Sequence, residues 1–216
     1  MSADSEMHNF RKDYRLQSLL EKDVIRNPIH QFEKWWTQAL ESNIIESNAM
    51  TLATCNAEGK PSARIVLLKG IRDNGFLFFT NYDSRKGKEM GKNKFVSLVF
   101  FWKELERQVR IEGVVEKISP KESDAYFAKR PRESRIGAWS SPQSSVIANR
   151  EILEQNASHY NKQFDTENIP RPENWGGYIV HPNVMEFWQG RPGRLHDRLR
   201  YSIDEKGIWK IERLAP

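Results

Sequence analysis

Cysteine is almost missing from this chain: Cys55 is the only one in 216 residues. A single thiol excludes an intramolecular disulfide and a cysteine-based metal cluster, and it suits a reducing compartment. Cys55 lies in the apolar run AMTLATC, where a buried, inert thiol is expected. Long hydrophobic runs are missing too; none approaches the ~18–20 apolar residues that a membrane helix needs. The polar start MSADSEMHNFRKDYRL has no apolar stretch followed by a small-residue cleavage site, so a cytoplasmic protein without membrane contact is expected. There is no GxGxxG and no GxxxxGK[ST], which removes the two common glycine-rich routes to phosphate. There is no GxSxG elbow for a nucleophilic serine. The histidines show neither HExxH nor any other ligand spacing, so no zinc site is expected.

What is present is basic charge. Lys and Arg number 34 against 29 acidic residues, a formal net charge of +5, and the sequence pI is about 9.3. Such a surplus suits an anionic partner. The cations recur in short groups: Arg64 and Lys69, Arg85 and Lys86, Arg107 and Arg110, Lys129 to Arg135, and Arg191 to Arg200. Dispersed groups fit discrete phosphate sites better than a nucleic-acid track. Hydrophobic residues at 38% and charged residues at 29% describe a globular chain, neither disordered nor membrane-spanning.

Periodicity divides the chain. Residues 1–26 are polar and without clear period and are read as a mobile N-terminal arm; residues 27–216 are read as a single domain. NPIHQFEKWWTQALES predicts a helix capped by Asn27, with Pro28 at its first position and Ile29, Phe32, Trp36, Ala39 and Leu40 on one face. Strands are expected in AMTLATC, SARIVLLKGI, FLFFTN, FVSLVFFW and ERQVRIEGVVEKI, with a hairpin turn at RDNG and a short helix from Ser84. Ser119, Pro120 and Glu122 mark a helix start, and SSVIANREILEQNASHYNKQF reads as one long amphipathic helix with Ile147, Leu153, Ala157, Tyr160 and Phe164 on its apolar face. YIVHPNVMEFWQ reads as two strands about a His-Pro-Asn turn, and RLHDRLRYSIDEKGIWKIERL as two more. Six to nine short strands joined by tight turns point to a mainly β fold with helical additions, an antiparallel barrel or sandwich. In the last segment Arg194, His196, Arg198 and Arg200 share one parity and would line one face of a strand. Amides and hydroxyls at Gln108, Gln143, Ser144 and Thr80 could read a ring edge, and Trp188 could pack against the ring. Residue by residue this stops at a β-barrel that binds a phosphorylated ligand.

The motifs SARIVLLKG, FFTNYDSRKGKEM, ERQVRIEG, YFAKRPRESRIGAWSSPQSS, WGGYIV, EFWQG, RLHDR and WKIERLAP occur in this order. Together they closely resemble the pyridoxine (pyridoxamine) 5′-phosphate oxidase family, over about residues 45–216 and more loosely before that. The resemblance implies an antiparallel FMN-binding split β-barrel and a homodimer with FMN at its interface. It implies oxidation of pyridoxine or pyridoxamine 5′-phosphate to pyridoxal 5′-phosphate, with hydride passing to FMN and O2 reoxidising the flavin to give H2O2. The FMN contacts it implies are Arg64, Ile65, Val66, Leu67, Leu68, Lys69, Phe79, Thr80, Arg85, Lys86, Gln108, Gln143, Ser144, Trp188 and Arg198. The substrate contacts are Lys69, Tyr126, Arg130, Ser134, Arg194 and His196, with Arg11 and Tyr14 from the arm. Arg194 and His196 would be the catalytic pair, and no metal is implied. Arg200 inherits no role and is read as solvated or salt-bridged. Two rivals stay open: an FMN split-barrel oxidase of a different substrate, such as a phenazine precursor, and a non-catalytic binder of FMN, pyridoxal phosphate or nucleic acid.

Overall fold

The computed structural model describes residues 13–164 and 168–216. Among the described residues, nine strands, β1 (Ala49–Cys55), β2 (Pro61–Leu67), β3 (Gly70–Arg72), β4 (Gly75–Asn81), β5 (Phe95–Trp102), β6 (Arg107–Lys117), β7 (Trp175–Gln189), β8 (Asp197–Ile203) and β9 (Trp209–Arg213), are joined by five α-helices. These helices are α1 (Pro28–Glu41), α2 (Arg85–Lys92), α3 (Pro120–Ala128), α4 (Arg132–Ser140) and α5 (Glu151–Gln163). The strands hydrogen-bond in the order β2-β1-β5-β6-β7-β4-β3, with β8 on β7 and β9 on β8. None of the described helices is long and apolar enough to cross a membrane. The chain forms two compact units: a cavity unit, Asn48–Leu98 with Glu112–Asn183, and a terminal unit, Met1–Ser47 with Val99–Ile111 and Val184–Pro216.

In the cavity unit, β1 pairs with β2 in an antiparallel ladder from Ala49↔Leu67 to Cys55↔Pro61. β3 and β4 meet in a hairpin whose two central residues, Asp73 and Asn74, both have positive φ (48° and 56°). That is the twist-matching turn expected of RDNG. SARIVLLKGI was expected as one strand but is two. Leu68 N–H still donates to Asn48 O (2.9 Å), whereas Lys69 N–H donates to Leu77 O (2.8 Å). The chain therefore changes partner between Leu68 and Lys69. This break also explains how Arg64 and Lys69, five positions apart, can face one cavity. Ser84 caps α2 by accepting from Gly87 N–H, and Ser119 with Glu122 forms a full capping box on α3.

Four other expectations need correction here. α4 was not foreseen: Pro131 stops α3, and the same residue is the N-cap of the next helix. The long helix is shorter than expected and starts at Glu151, because Ser144 takes a left-handed φ of 71° and residues 141–145 close turns instead. Ile147 is thus off the helix, while Ala157, Tyr160 and Phe164 do pack on the cluster of Phe127, Ile136, Ile169 and Trp175. HPN is not a turn. β7 runs unbroken, pairing with β4 through Val180 and with β8 from Val184. Pro182 falls between the β4 and β8 ladders. Cys55, expected to be buried, is half-buried at the end of β1.

In the terminal unit, α1 is capped by Asn27 as expected, its side chain accepting from Ile29 N–H at 2.8 Å. Its buried face runs through Ile29, Phe32, Trp35 and Ala39. Trp35 joins the inward stripe, with its ring edge-on to Phe187 at 5.2 Å and under the Arg107 guanidinium at 4.3 Å, while Trp36 is half-buried against Phe32 and Leu40 is exposed. The described arm residues lie along this unit. Glu106 accepts from the N–H groups of Arg15 and Leu16 (2.9 and 3.1 Å), and Asp197 accepts from that of Leu19 (3.1 Å).

Candidate active site

A cavity of about 540 Å³ opens in the cavity unit. β2 and the link after it supply Arg64, Ile65, Val66, Leu67 and Lys69; β4 supplies Phe79 and Thr80; α2 supplies Lys86; the α3–α4 region supplies Tyr126, Arg130 and Ser134; and the turn after α4 supplies Gln143. Twelve of the residues named from sequence thus face one space. Leu68 instead points into the core, 6% exposed. Arg85 and Ser144 line a second cavity of about 360 Å³ together with Lys88 and Glu89.

The cations of the main cavity rest mostly on neutral groups, with Glu89 also 3.5 Å from the Arg64 Nη2. Lys86 donates to Gln143 Oε1 (3.0 Å) and Thr80 Oγ1 (3.1 Å). Burial lowers its pKa, and the Arg64 charge adds to the effect. The Arg64 Nη1 donates to Leu52 O (3.1 Å) and Thr54 Oγ1 (2.6 Å), and burial lowers its pKa as well. Arg130 lies over the Trp175 ring at 4.5 Å and the Phe127 ring at 5.5 Å. Its Nη1 is buried without an acceptor. Such an orphaned donor is costly unless an anion fills the site. The Phe79 ring stacks on Tyr126 at 3.8 Å and on Trp175 at 5.4 Å, which fixes the Tyr126 ring beside Arg130. Lys129, from the Lys129–Arg135 basic group, also lines the space, as do Trp175 and Asn81, which sequence reasoning did not single out. WGGYIV was a visible motif, but nothing in it announces that its tryptophan supports an arginine.

The other named residues belong to the terminal unit. Trp188 on β7 and His196 stand 4.7 Å apart between ring centroids, and Tyr14 meets them edge-on at 5.6 and 5.9 Å. A Cβ at position 190 would come within 2.6 Å of the Tyr14 ring, so glycine is required there. Arg191 N–H donates to His196 Nδ1 (3.1 Å). A neutral His196 therefore carries its proton on Nε2. Burial and the Arg194 charge lower its pKa. Gln108 lies on β6, on the half-buried face opposite Val109 and Ile111. Arg11 lies outside the described residues.

The single strand face expected for Arg194, His196, Arg198 and Arg200 needs correction. β8 begins only at Asp197, and Arg194 ends a one-turn 3-10 helix in which Gly193 and Arg194 have φ of 64° and 62°. Positive φ at Gly193 suits glycine; at Arg194 and Ser144 it is an uncommon conformation of the kind that collects at functional sites. Arg198 does sit on β8, donating to both oxygens of Glu186 (2.9 and 3.0 Å) and to Ala215 O (2.8 Å). Arg200 pairs with Glu212 at 2.8 Å, the salt-bridged reading given to it.

Comparison with known proteins agrees with this layout. Residues 36–164 match the family model described as pyridoxamine 5′-phosphate oxidase, and residues 175–216 match that of the pyridoxine 5′-phosphate oxidase C-terminal dimerisation region. A pyridoxine/pyridoxamine 5′-phosphate oxidase of Paraburkholderia phymatum is 56% identical over 98% of this chain and all of its own. One of Cyanothece sp. is 55% identical over 96% of this chain and 97% of its own. Among solved structures, PhzG from Burkholderia lata, crystallised with tetrahydrophenazine-1-carboxylic acid, superposes with a TM-score of 0.87 at 30% identity over 93% of this chain and 99% of that one. A pyridoxamine 5′-phosphate oxidase-related, FMN-binding protein from Nostoc punctiforme shares the fold, with a TM-score of 0.69 at 17% identity over 86% of this chain and 97% of that one.

Proposed function

The chain belongs to the pyridoxamine 5′-phosphate oxidase family, and from that premise we propose that it oxidises pyridoxine or pyridoxamine 5′-phosphate to pyridoxal 5′-phosphate, with FMN as cofactor, O2 as electron acceptor and H2O2 as product. The observation that carries the reading is the under-paired Arg130 in a cavity where Lys86 is desolvated and held by neutral oxygens and Arg64 is desolvated with its Nη2 3.5 Å from Glu89. Two phosphates would answer this: that of FMN and that of the substrate. The residues fit a flavin, because Ile65, Val66 and Leu67 offer apolar wall beside the polar ends of Thr80 and Gln143.

In this reading Arg64, Lys86, Thr80 and Gln143, with Arg85 and Ser144, hold FMN, joined by the β2 residues Ile65 to Lys69, Phe79, Gln108, Trp188 and Arg198. Lys69, Tyr126, Arg130 and Ser134 bind the substrate phosphate. An arginine with a free fork edge suits a phosphate oxygen. Arg194 and His196 orient the reacting carbon, His196 offering its Nε2–H as a donor, and Arg11 and Tyr14 close over the substrate from the arm. When bound, the flavin supplies the hydride acceptor and the reaction with oxygen; the protein supplies position and field. The match of residues 175–216 to a dimerisation region supports a homodimer, and in this reading FMN lies at its interface. The lone cysteine supports a cytoplasmic location.

The likeness to PhzG keeps an oxidase of a phenazine precursor as a second reading. A substrate without phosphate would leave the Arg130 donor unmet, which favours the B6 vitamer. The deciding experiment measures flavin absorbance and oxygen uptake of the purified protein. A yellow protein that consumes oxygen with pyridoxine 5′-phosphate is expected. A colourless protein that takes up no added FMN would overturn the proposal.

A further inference from the structure

Glu89 lies on α2 between two of the arginines assigned to FMN, and its side chain is 6% exposed. Such a buried carboxylate must be fully hydrogen-bonded or be costly. Its Oε2 accepts from Thr54 Oγ1 on β1 (2.5 Å) and from Ser62 Oγ on β2 (2.6 Å), and stands 3.5 Å from the Arg64 Nη2. Its Oε1 accepts from the Arg85 Nε at 2.9 Å. One carboxylate thus ties two strands and a helix to both guanidinium groups. Thr54 and Ser62 also accept from Arg64, so the same two hydroxyls join acid to base. Burial by itself would raise the Glu89 carboxyl, but the bonds from Ser62, Thr54 and Arg85 override it and bring it to about 2.

Resting on the FMN reading above, we propose that Glu89 is the positioning residue of the flavin phosphate subsite, fixing Arg64 and Arg85 while offsetting one of the three cations there. Two effects compete. As an anion, Glu89 repels a phosphate; as a clamp, it orders the arginines before the phosphate arrives. Long side chains lose considerable rotamer freedom when fixed, so pre-ordering two of them favours binding. With Lys86 as the third cation, one carboxylate leaves a surplus of two positive charges. A phosphate monoester, carrying about −1.5 to −2 at neutral pH, matches that surplus. The clamp effect is the one that prevails in this geometry, because Glu89 faces Arg64 Nη2 and Arg85 Nε and has all four partners in place.

The test compares FMN with riboflavin, which lacks the phosphate, by flavin fluorescence titration of apo-protein. Native protein should prefer FMN. Glu89→Leu should weaken FMN roughly 10- to 100-fold, the range for hydrogen bonds to charged groups, with riboflavin affinity unchanged. Glu89→Gln, whose amide oxygen can still accept, should restore much of the loss. Ser62→Ala removes one tether without removing the carboxylate, and should weaken FMN in the same direction by a few-fold; it keeps the test alive if Glu89→Leu does not fold. FMN affinity that stays equal or rises in Glu89→Leu, or an equal loss for riboflavin, would overturn the role of Glu89. Native protein that does not prefer FMN to riboflavin would instead overturn the flavin reading beneath it.

Discussion

Three arginines of the terminal unit and two cations of the cavity are treated differently. In the terminal unit, Arg198 meets both oxygens of Glu186, Arg200 meets Glu212, and Arg213 meets Glu21 and Asp197. In the cavity of the other unit, Arg130 rests on the faces of Trp175 and Phe127 with a buried Nη1 left over, and Lys86 rests on the neutral oxygens of Gln143 and Thr80. A cation matched by a carboxylate adds to the fold and has little charge to spare. A desolvated cation without one stores an interaction that a ligand anion can take up. The contrast marks Arg130 and Lys86 as the cations with charge to spare, whereas arginines such as Arg198 already meet a carboxylate in the fold.

Substitutions can sharpen or break this contrast. The largest effect should come from the terminal unit's exception, the loop before β8. His196→Asn and Arg194→Gln should each cut kcat/KM about 100-fold, as for loss of a group that acts on the reacting centre, while FMN content stays native. Near-native turnover in both would remove their catalytic assignment. Next, Lys86→Met should weaken FMN roughly 10- to 100-fold, a charge-assisted bond being lost, with little change in thermal midpoint because Lys86 neutralises no carboxylate. Arg198→Gln should do the reverse in emphasis: it strips the main partner from buried Glu186 and should cost roughly 1–2 kcal/mol of stability by denaturant titration, whatever its added effect on FMN. Smallest of all, Arg200→Gln breaks a partly exposed pair and should be near neutral, within about 0.5 kcal/mol. A large loss of activity in Arg200→Gln would show that pairing does not separate the two classes.

The same contrast marks how much could be read from the sequence. Local chemistry was readable: the Asn27 cap, the Ser119–Glu122 capping box and the RDNG turn each depend on neighbours in the chain. So was the content of the cavity, because ordered motifs carried twelve of its lining residues at once. What could not be read depends on distant partners. Strand β2 ends where its neighbour changes from β1 to β4, and β7 runs through Pro182 because two ladders flank it. Parity misled for Arg194 and His196, since alternation describes a strand only where a ladder exists, and the ladder starts at Asp197. Trp175 was missed because it acts on an arginine far away in sequence, and Glu89 because only folding brings it to Arg64 as well as to Arg85.

The central claim is that the cavity cations are ligands for phosphate, and Arg130 is its sharpest case. The direct measurement is oxygen uptake by native protein and by Arg130→Ala, each with pyridoxine 5′-phosphate and with pyridoxine. Native protein should strongly prefer the phosphorylated form. Arg130→Ala should lose roughly 10- to 150-fold in kcat/KM for it, the range for a charged hydrogen bond, mostly through KM and with bound FMN unchanged, so that the preference collapses. Equal turnover of the two compounds by native protein, or an undiminished preference in Arg130→Ala, would contradict the account.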